Sequence, residues 1–301
     1  MPTPAPKARP RRERAMLLLQ PVADRLVAWL APTGCNPLWI VALHGLAGVS
    51  AAGLVAWGAT APDGPGRAWA VAAALLLVRA LLDNVDGGLA RATGRVTRTG
   101  RYLDTLTDLI VNLALFAALA TVVPWGMAAV AFALNTVTLS LDANMERLYR
   151  VPRTVPDRGR SEPVDDGPRW LLRATRGLYD AVLAPQDRWI ERADRALFRR
   201  LEGRPYARAP LDRRLAWSDL FSTASLVDLG LSTQSLIAAG LLLAGWPQAV
   251  PVLVLLGFAW AVTAQGLRIV RYRAYRRSDD GPDGLAGGRA HPDTGPRGPS
   301  R

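Results

Sequence analysis

The sequence predicts an all-α polytopic membrane protein with six transmembrane helices, an N-terminal amphipathic interfacial helix and a cytoplasmic helical insertion. Three observations carry that expectation. Six apolar stretches recur along a chain of 301 residues that is 50% hydrophobic. Short turns containing proline join several of them, at 61–66, 123–125 and 246–251. Arginines crowd the segments on one side of these stretches and leave the other side almost bare. The same composition excludes other classes. A disordered or collagen-like chain would not be half apolar, and a disulfide scaffold would need more than the single Cys35.

Residues 1–14 hold Lys7, Arg9, Arg11, Arg12 and Arg14 among prolines, which reads as a disordered basic tail. They are not a signal peptide, because the apolar stretch that follows is short and interrupted by Pro21, Asp24 and Arg25. Residues 15–32 form the amphipathic juxtamembrane helix, its apolar and polar positions alternating at helical spacing from 16 to 30. The block 33–149 contains the first four spans. Residues 36–59 are apolar apart from His44 and small polar groups, and at about 1.5 Å per residue they reach across a hydrocarbon core of about 30 Å. Residues 68–82 are a shorter apolar run that continues without proline into a polar helix ending near Arg91, and 102–123 and 125–141 follow.

Residues 150–214 interrupt the series as a long insertion with a Pro/Asp/Gly-rich start and a helical run over 169–201. In that run Leu171, Leu178, Val182, Trp189, Ile190, Leu197 and Phe198 recur at near-heptad intervals among Arg and Asp. This predicts an interfacial helix or helix pair over the cytoplasmic face, with a dimer contact as the alternative. Residues 215–277 contain the last two spans, 229–246 and 250–270, and 278–301 are a disordered tail rich in Gly, Pro and Asp.

Orientation follows from the arginines. The first tail, the segments 91–101 and 147–214, and the tail after Arg268 are rich in them, whereas the opposite loops contain only Arg67. Both termini and both basic loops are therefore expected in the cytoplasm. Lys7 is the sole lysine, and an arginine-rich chain with 23 Pro and 27 Gly fits a GC-rich bacterial genome, hence a bacterial inner membrane. Topology thus accounts for much of the formal net charge of +12, and no nucleic-acid partner is needed to explain it.

The chemistry is concentrated in residues 83–108, DNVDGGLARATGRVTRTGRYLDTLTD. Asp83 and Asp86 are three apart and share a helix face, and Asp104 and Asp108, four apart, share a face of the next helix. A turn through 93–100 brings the helices back antiparallel, so the four carboxylates converge. Crowded near a membrane interior, they repel one another and demand a compensating cation. Oxygen ligands select a hard divalent ion, and an opening toward phosphate favours Mg²⁺ or Mn²⁺. The alternative, a salt-bridged helix pair, would use Arg79, Arg91 and Arg101. Arg79, four residues before Asp83, is expected to pair with Asp83 or to reach lipid phosphates. Gly87 and Gly100 remove side chains where a ligand approaches, Ala90 keeps the same face shallow, and Arg91 offers a planar fork to phosphate oxygens. His44 reads as a packed or interfacial residue rather than a ligand, and Ser232, Thr233, Gln234, Gln265 and Arg268 as candidate acceptor or phosphate contacts.

Asp83, Asp86, Gly87, Ala90, Arg91, Gly100, Asp104 and Asp108 match, position for position, the D-x2-D-G-x2-A-R-x8-G-x3-D-x3-D signature. The chain thereby resembles the CDP-alcohol phosphotransferases, also in its six spans and amphipathic first helix. The resemblance implies a transferase that moves a substituted phosphate from a CDP-linked alcohol, commonly CDP-diacylglycerol, to the hydroxyl of a small polar alcohol and releases CMP. It implies two divalent cations, Mg²⁺ or Mn²⁺, held by Asp83, Asp86, Asp104 and Asp108, with Asp108 also the general base. Gly87, Ala90, Arg91 and Gly100 would contact the CDP moiety, and the enzyme would be a homodimer in the bilayer. The signature serves the shared CDP chemistry and leaves the acceptor open. Other readings are a non-catalytic relative that binds CDP-lipid or metal, and a transporter, which would usually show related polar breaks in its two halves. This chain has no second copy of the motif.

Overall fold

The computed structural model describes residues 13–153 and 169–279. Residues 1–12, 154–168 and 280–301, which include most of both expected tails and the start of the insertion, lie outside the described residues. Among the described residues the regular elements are all helical. They are α1 (Arg14–Leu30), α2 (Pro37–Thr60), α3 (Gly66–Ala92), α4 (Arg98–Leu119), α5 (Trp125–Arg150), α6 (Arg169–Val182), α7 (Ala184–Glu202), α8 (Leu211–Trp217), α9 (Leu220–Ala224), α10 (Leu231–Leu243) and α11 (Ala249–Asp279).

Among the described residues five helices, α2 to α5 and α11, are long and apolar enough to cross a membrane. The sixth expected span differs. It is α10, a shorter apolar helix of 13 residues, about 20 Å long at 1.5 Å per residue. Local chemistry cuts it at both ends. Val227–Leu229 winds as a tight 3-10 turn, Gly230 is extended, and Gly245 at φ 77 ends the helix after Leu243.

Capping explains where the helices around the motif begin. The Asn36 side chain accepts a hydrogen bond from the Leu38 backbone N–H at 3.1 Å, with Pro37 in the first helical position of α2. Thr97 opens α4 in the same way, accepting from the Gly100 N–H at 3.0 Å, and Gly94 at φ 70 turns the chain between α3 and α4.

The bundle is organised around α2, which packs on both α3 and α4, while α3 and α4 meet each other little. Two glycines of α2 permit this. A Cβ on Gly45 would stand 2.5 Å from Thr107 Cγ2, and one on Gly48 would stand 2.4 Å from Val111 Cγ1 and 2.9 Å from Arg79 Cδ. Ala51, Val55, Trp69, Leu76, Leu119 and Leu242 form the main apolar core, with α10 contributing from its second half. A second cluster, Ala23, Ile40, Val85 and Leu89, fastens α1 to α3 beside the motif.

The start of α1 is tied to the start of α10. Glu13 accepts from the Thr233 backbone N–H at 3.0 Å and from its hydroxyl at 3.2 Å, so a remote carboxylate caps α10. Burial raises the Glu13 pKa above the usual carboxylate range.

The helical run in the insertion is broken near Leu183 and Pro185 into α6 and α7. Tyr179 of α6 packs on Tyr102 of α4 with ring centroids 5.3 Å apart, and Gln186 of α7 donates to the Ser140 hydroxyl of α5 at 2.8 Å. Farther along, Phe198, Trp217 and Tyr272 pack edge to face and lock α7 and α8 to α11.

Gly45→Leu is expected to overpack the α2–α4 contact at a cost of about 1–3 kcal/mol, lowering the thermal midpoint of the detergent-solubilised protein. Gly53→Ala, on a helix position where a Cβ meets nothing within 4 Å, should leave it unchanged or raise it slightly.

Candidate metal centre

Three elements build the site. Helix α3 presents Asp83 and Asp86, α4 presents Asp104, and α2 inserts His44 between them. His44 is fully buried, and its Nε2 lies 3.6 Å from both Asp86 Oδ2 and Asp104 Oδ1. One ligand atom from each of His44, Asp83, Asp86 and Asp104 falls within 4.8 Å of the others. The two 3.6 Å separations exceed hydrogen-bond length. Consistently, His44 Nδ1 and Nε2, Asp86 Oδ2 and Asp104 Oδ1 are buried without a hydrogen-bond partner. Orphaned acceptors of this kind, converging from three helices, fit a divalent cation: carboxylate oxygens suit Mg²⁺ or Mn²⁺, and an imidazole nitrogen is compatible with Mn²⁺.

The sequence alone did not place His44 beside the aspartates. The residue is packed, but it also stands in the acidic cluster. The available signal was its place as the one ionisable group in residues 36–59, since such a group inside a span is expensive and is kept near partners.

Asp108 takes a different position from the other three aspartates. Arg79, itself buried, donates from Nη2 to Asp108 Oδ1 at 2.6 Å and from Nη1 to the Ser235 hydroxyl of α10 at 2.7 Å. The expected partner of Arg79 was Asp83 or a lipid phosphate, and the correction has a geometric cause. Gly48 lets the arginine stem cross α2 toward α4, so its fork meets Asp108 and continues to α10. Arg79 and Ser235 also line a largely apolar cavity among α3, α4, α5, α10 and α11, with about 770 Å³ of empty space including its open mouth. Asn112, Asn135, Thr138, Asp228, Thr233 and Gln234 are its other polar walls, and Gln234 donates to Asn135 Oδ1 at 2.7 Å.

The remaining signature residues lie toward the end of α3 and the start of α4. Gly87 and Ala90 are half-buried on α3 and Arg91 is exposed near its end. A Cβ on Gly87 would come within 3.2 Å of Arg91 Nη1, so the guanidinium lies over that glycine. Gly100 sits against Thr97 and Leu38. Arg268 is not at this site. It is buried at the far end of α11, pairing with Asp194 at 2.7 Å, lying 3.9 Å above the Trp217 ring, and donating to Gln265 Oε1 at 2.9 Å. This arrangement uses Arg268 and Gln265 to hold the insertion.

These features define an integral membrane protein with an acidic, cation-ready cleft between adjacent spans. Residues 37–157, which contain all of α2 to α5, match the family model CDP-alcohol phosphatidyltransferase, a family of transferases of phosphorus-containing groups. No curated protein and no solved structure matches the chain.

His44→Ala should weaken Mn²⁺ binding by about tenfold or more, read by electron paramagnetic resonance of the free ion. Asp86→Asn should melt at higher temperature than wild type in EDTA, because one repelling charge is gone, and should lose most of the stabilisation that Mg²⁺ gives wild type.

Proposed function

We propose that the protein is a phosphatidyltransferase of phospholipid synthesis in a bacterial cytoplasmic membrane. It transfers the phosphatidyl group of CDP-diacylglycerol to the hydroxyl of a small polar alcohol and releases CMP. The observation that carries this reading is the gathering of Asp83, Asp86 and Asp104 around His44 inside the stretch that matches the family.

In this reading Asp83, Asp86, Asp104 and Asp108 hold two divalent cations, Mg²⁺ or Mn²⁺, with His44 as an additional donor. Once bound, the cations supply charge neutralisation on the pyrophosphate and on the departing CMP. The chain's own residues do the rest. Gly87, Ala90 and Gly100 leave space for the CDP moiety, and Arg91 pairs with its phosphate oxygens. Asp108 accepts the proton of the acceptor hydroxyl as the new P–O bond forms and the bond to CMP breaks. Arg79 donates to one oxygen of that carboxylate, Oδ1, and so orients it. The apolar cavity beyond Arg79 gives an acyl chain of the donor a place one helical turn deeper than the aspartates.

Topology belongs to the same proposal. The arginine distribution puts both termini in the cytoplasm. That requires α10 to complete a sixth crossing, with residues 220–230 covering the depth that its 13 residues leave. A homodimer is proposed from the family resemblance.

Purified protein supplied with Mg²⁺ and CDP-diacylglycerol should release CMP when the fitting acceptor is present in a panel of glycerol 3-phosphate, inositol phosphate, serine and other polyols. Asp108→Asn should lower the rate by about a thousandfold or more, and should also lower the melting temperature, because it leaves the buried Arg79 without its carboxylate. Undiminished turnover in that variant would contradict the assignment of the base.

A further inference from the structure

Beyond the catalytic cleft, four arginines from two distant parts of the chain converge on one open pocket. Arg200 comes from the end of α7, and Arg273, Arg276 and Arg277 from the end of α11, with Leu201 completing a space of about 340 Å³. We propose that this pocket binds the headgroup of an anionic phospholipid in the same leaflet as the arginine-rich face. The inference does not rest on the proposed transferase activity.

Charge is the first argument. Arg276 has Glu202 at 3.7 Å, but that carboxylate is shared with Arg204 and Arg213 and accepts from the Tyr272 hydroxyl. Arg200, Arg273 and Arg277 are exposed, and among the described residues no carboxylate lies within ion-pair distance of them. Arg200, Arg273 and Arg277, converging beside Arg276, repel one another unless an anion is present.

Depth is the second. The apolar part of α11 begins at Ala249, and about 20 residues cross the hydrocarbon core, which puts Arg268 at its edge. At 1.5 Å per residue, Arg273 stands about 8 Å and Arg277 about 13 Å farther along the axis, in and just outside the phosphate layer. A soluble anion would not need a site at that level, whereas basic pockets beside spans at this depth suit lipid headgroups.

Rigidity is the third. The two walls are fixed to each other by buried Phe198, Trp217 and Tyr272 and by the Asp194–Arg268 pair at 2.7 Å. The two helix ends that carry the arginines are therefore held at a set spacing, so binding does not have to order them. Helix α7 lies outside the stretch that matches the family, so the site belongs to the part of the chain that the family match does not cover.

The test compares wild type, Arg200→Ala/Arg273→Ala/Arg277→Ala and the single variant Arg277→Glu, each as the full chain in detergent. Melting is measured after addition of dioleoyl phosphatidylglycerol, dioleoyl phosphatidylcholine or inorganic phosphate, and retained lipid is counted by native mass spectrometry. Wild type is expected to retain phosphatidylglycerol and to melt several degrees higher with it alone. Both variants are expected to lose that shift and the retained lipid while melting like wild type in phosphatidylcholine. An undiminished shift in the variants, or an equal shift from inorganic phosphate or phosphatidylcholine, would overturn the proposal. Should the triple variant fail to fold, the exposed Arg277→Glu substitution decides on the same readouts.

Discussion

Placing several carboxylates at the junction of membrane-embedded helices is the constraint on which the rest of the structure depends. Like charges with little water repel, and desolvating each is costly, so the fold must supply compensation from every neighbouring element. It does so asymmetrically. His44 enters from α2 between Asp86 and Asp104, leaving a set of unpaired acceptors of the kind a cation satisfies, while Arg79 takes Asp108 by direct pairing. The glycines of α2 make both possible. Without Gly45 and Gly48 neither α4 nor the Arg79 stem could lie so close to α2.

Arg79 links this local chemistry to the wider bundle. Through Ser235 it joins the Asp108 carboxylate to α10, the shortest of the apolar helices, whose start is in turn capped by Glu13 from the beginning of α1. The amphipathic first helix, the acidic cleft and α10 are therefore one connected polar system laid through an apolar core. The insertion is attached separately. It touches α4 and α5 through Tyr179 and Gln186 and is anchored to α11 by Arg268 and an aromatic cluster.

Much of this was legible in the sequence because it is written in patterns that helices repeat. Unbroken apolar runs gave α2 to α5 and α11, and the three- and four-residue spacings of the aspartates gave the cleft. What escaped depends on contacts between helices. The length of α10 was misread because hydropathy continues past Gly230 and Gly245 while the backbone does not. His44 looked like a packed residue because one sequence does not reveal that α2 lies between α3 and α4. Arg79 was matched to Asp83 by helical spacing, yet a long side chain crossing a glycine reaches the next helix more easily than its own neighbour. Gln265 and Arg268 looked like candidate acceptor or phosphate contacts and instead lie where the insertion is anchored, for the same reason: Arg268, which also donates to Gln265, pairs with Asp194, 74 residues away.

The central claim is that the buried cluster of His44, Asp83, Asp86 and Asp104 makes phosphatidyl transfer depend on a divalent cation. The most direct measurement is CMP release from CDP-diacylglycerol by the reconstituted protein, with its acceptor present, as Mg²⁺ is titrated from an excess of EDTA. The account predicts no release in EDTA and a saturable rise that follows Mg²⁺ occupancy. Equal release in EDTA, or full occupancy with no CMP from any acceptor in the panel, would contradict it.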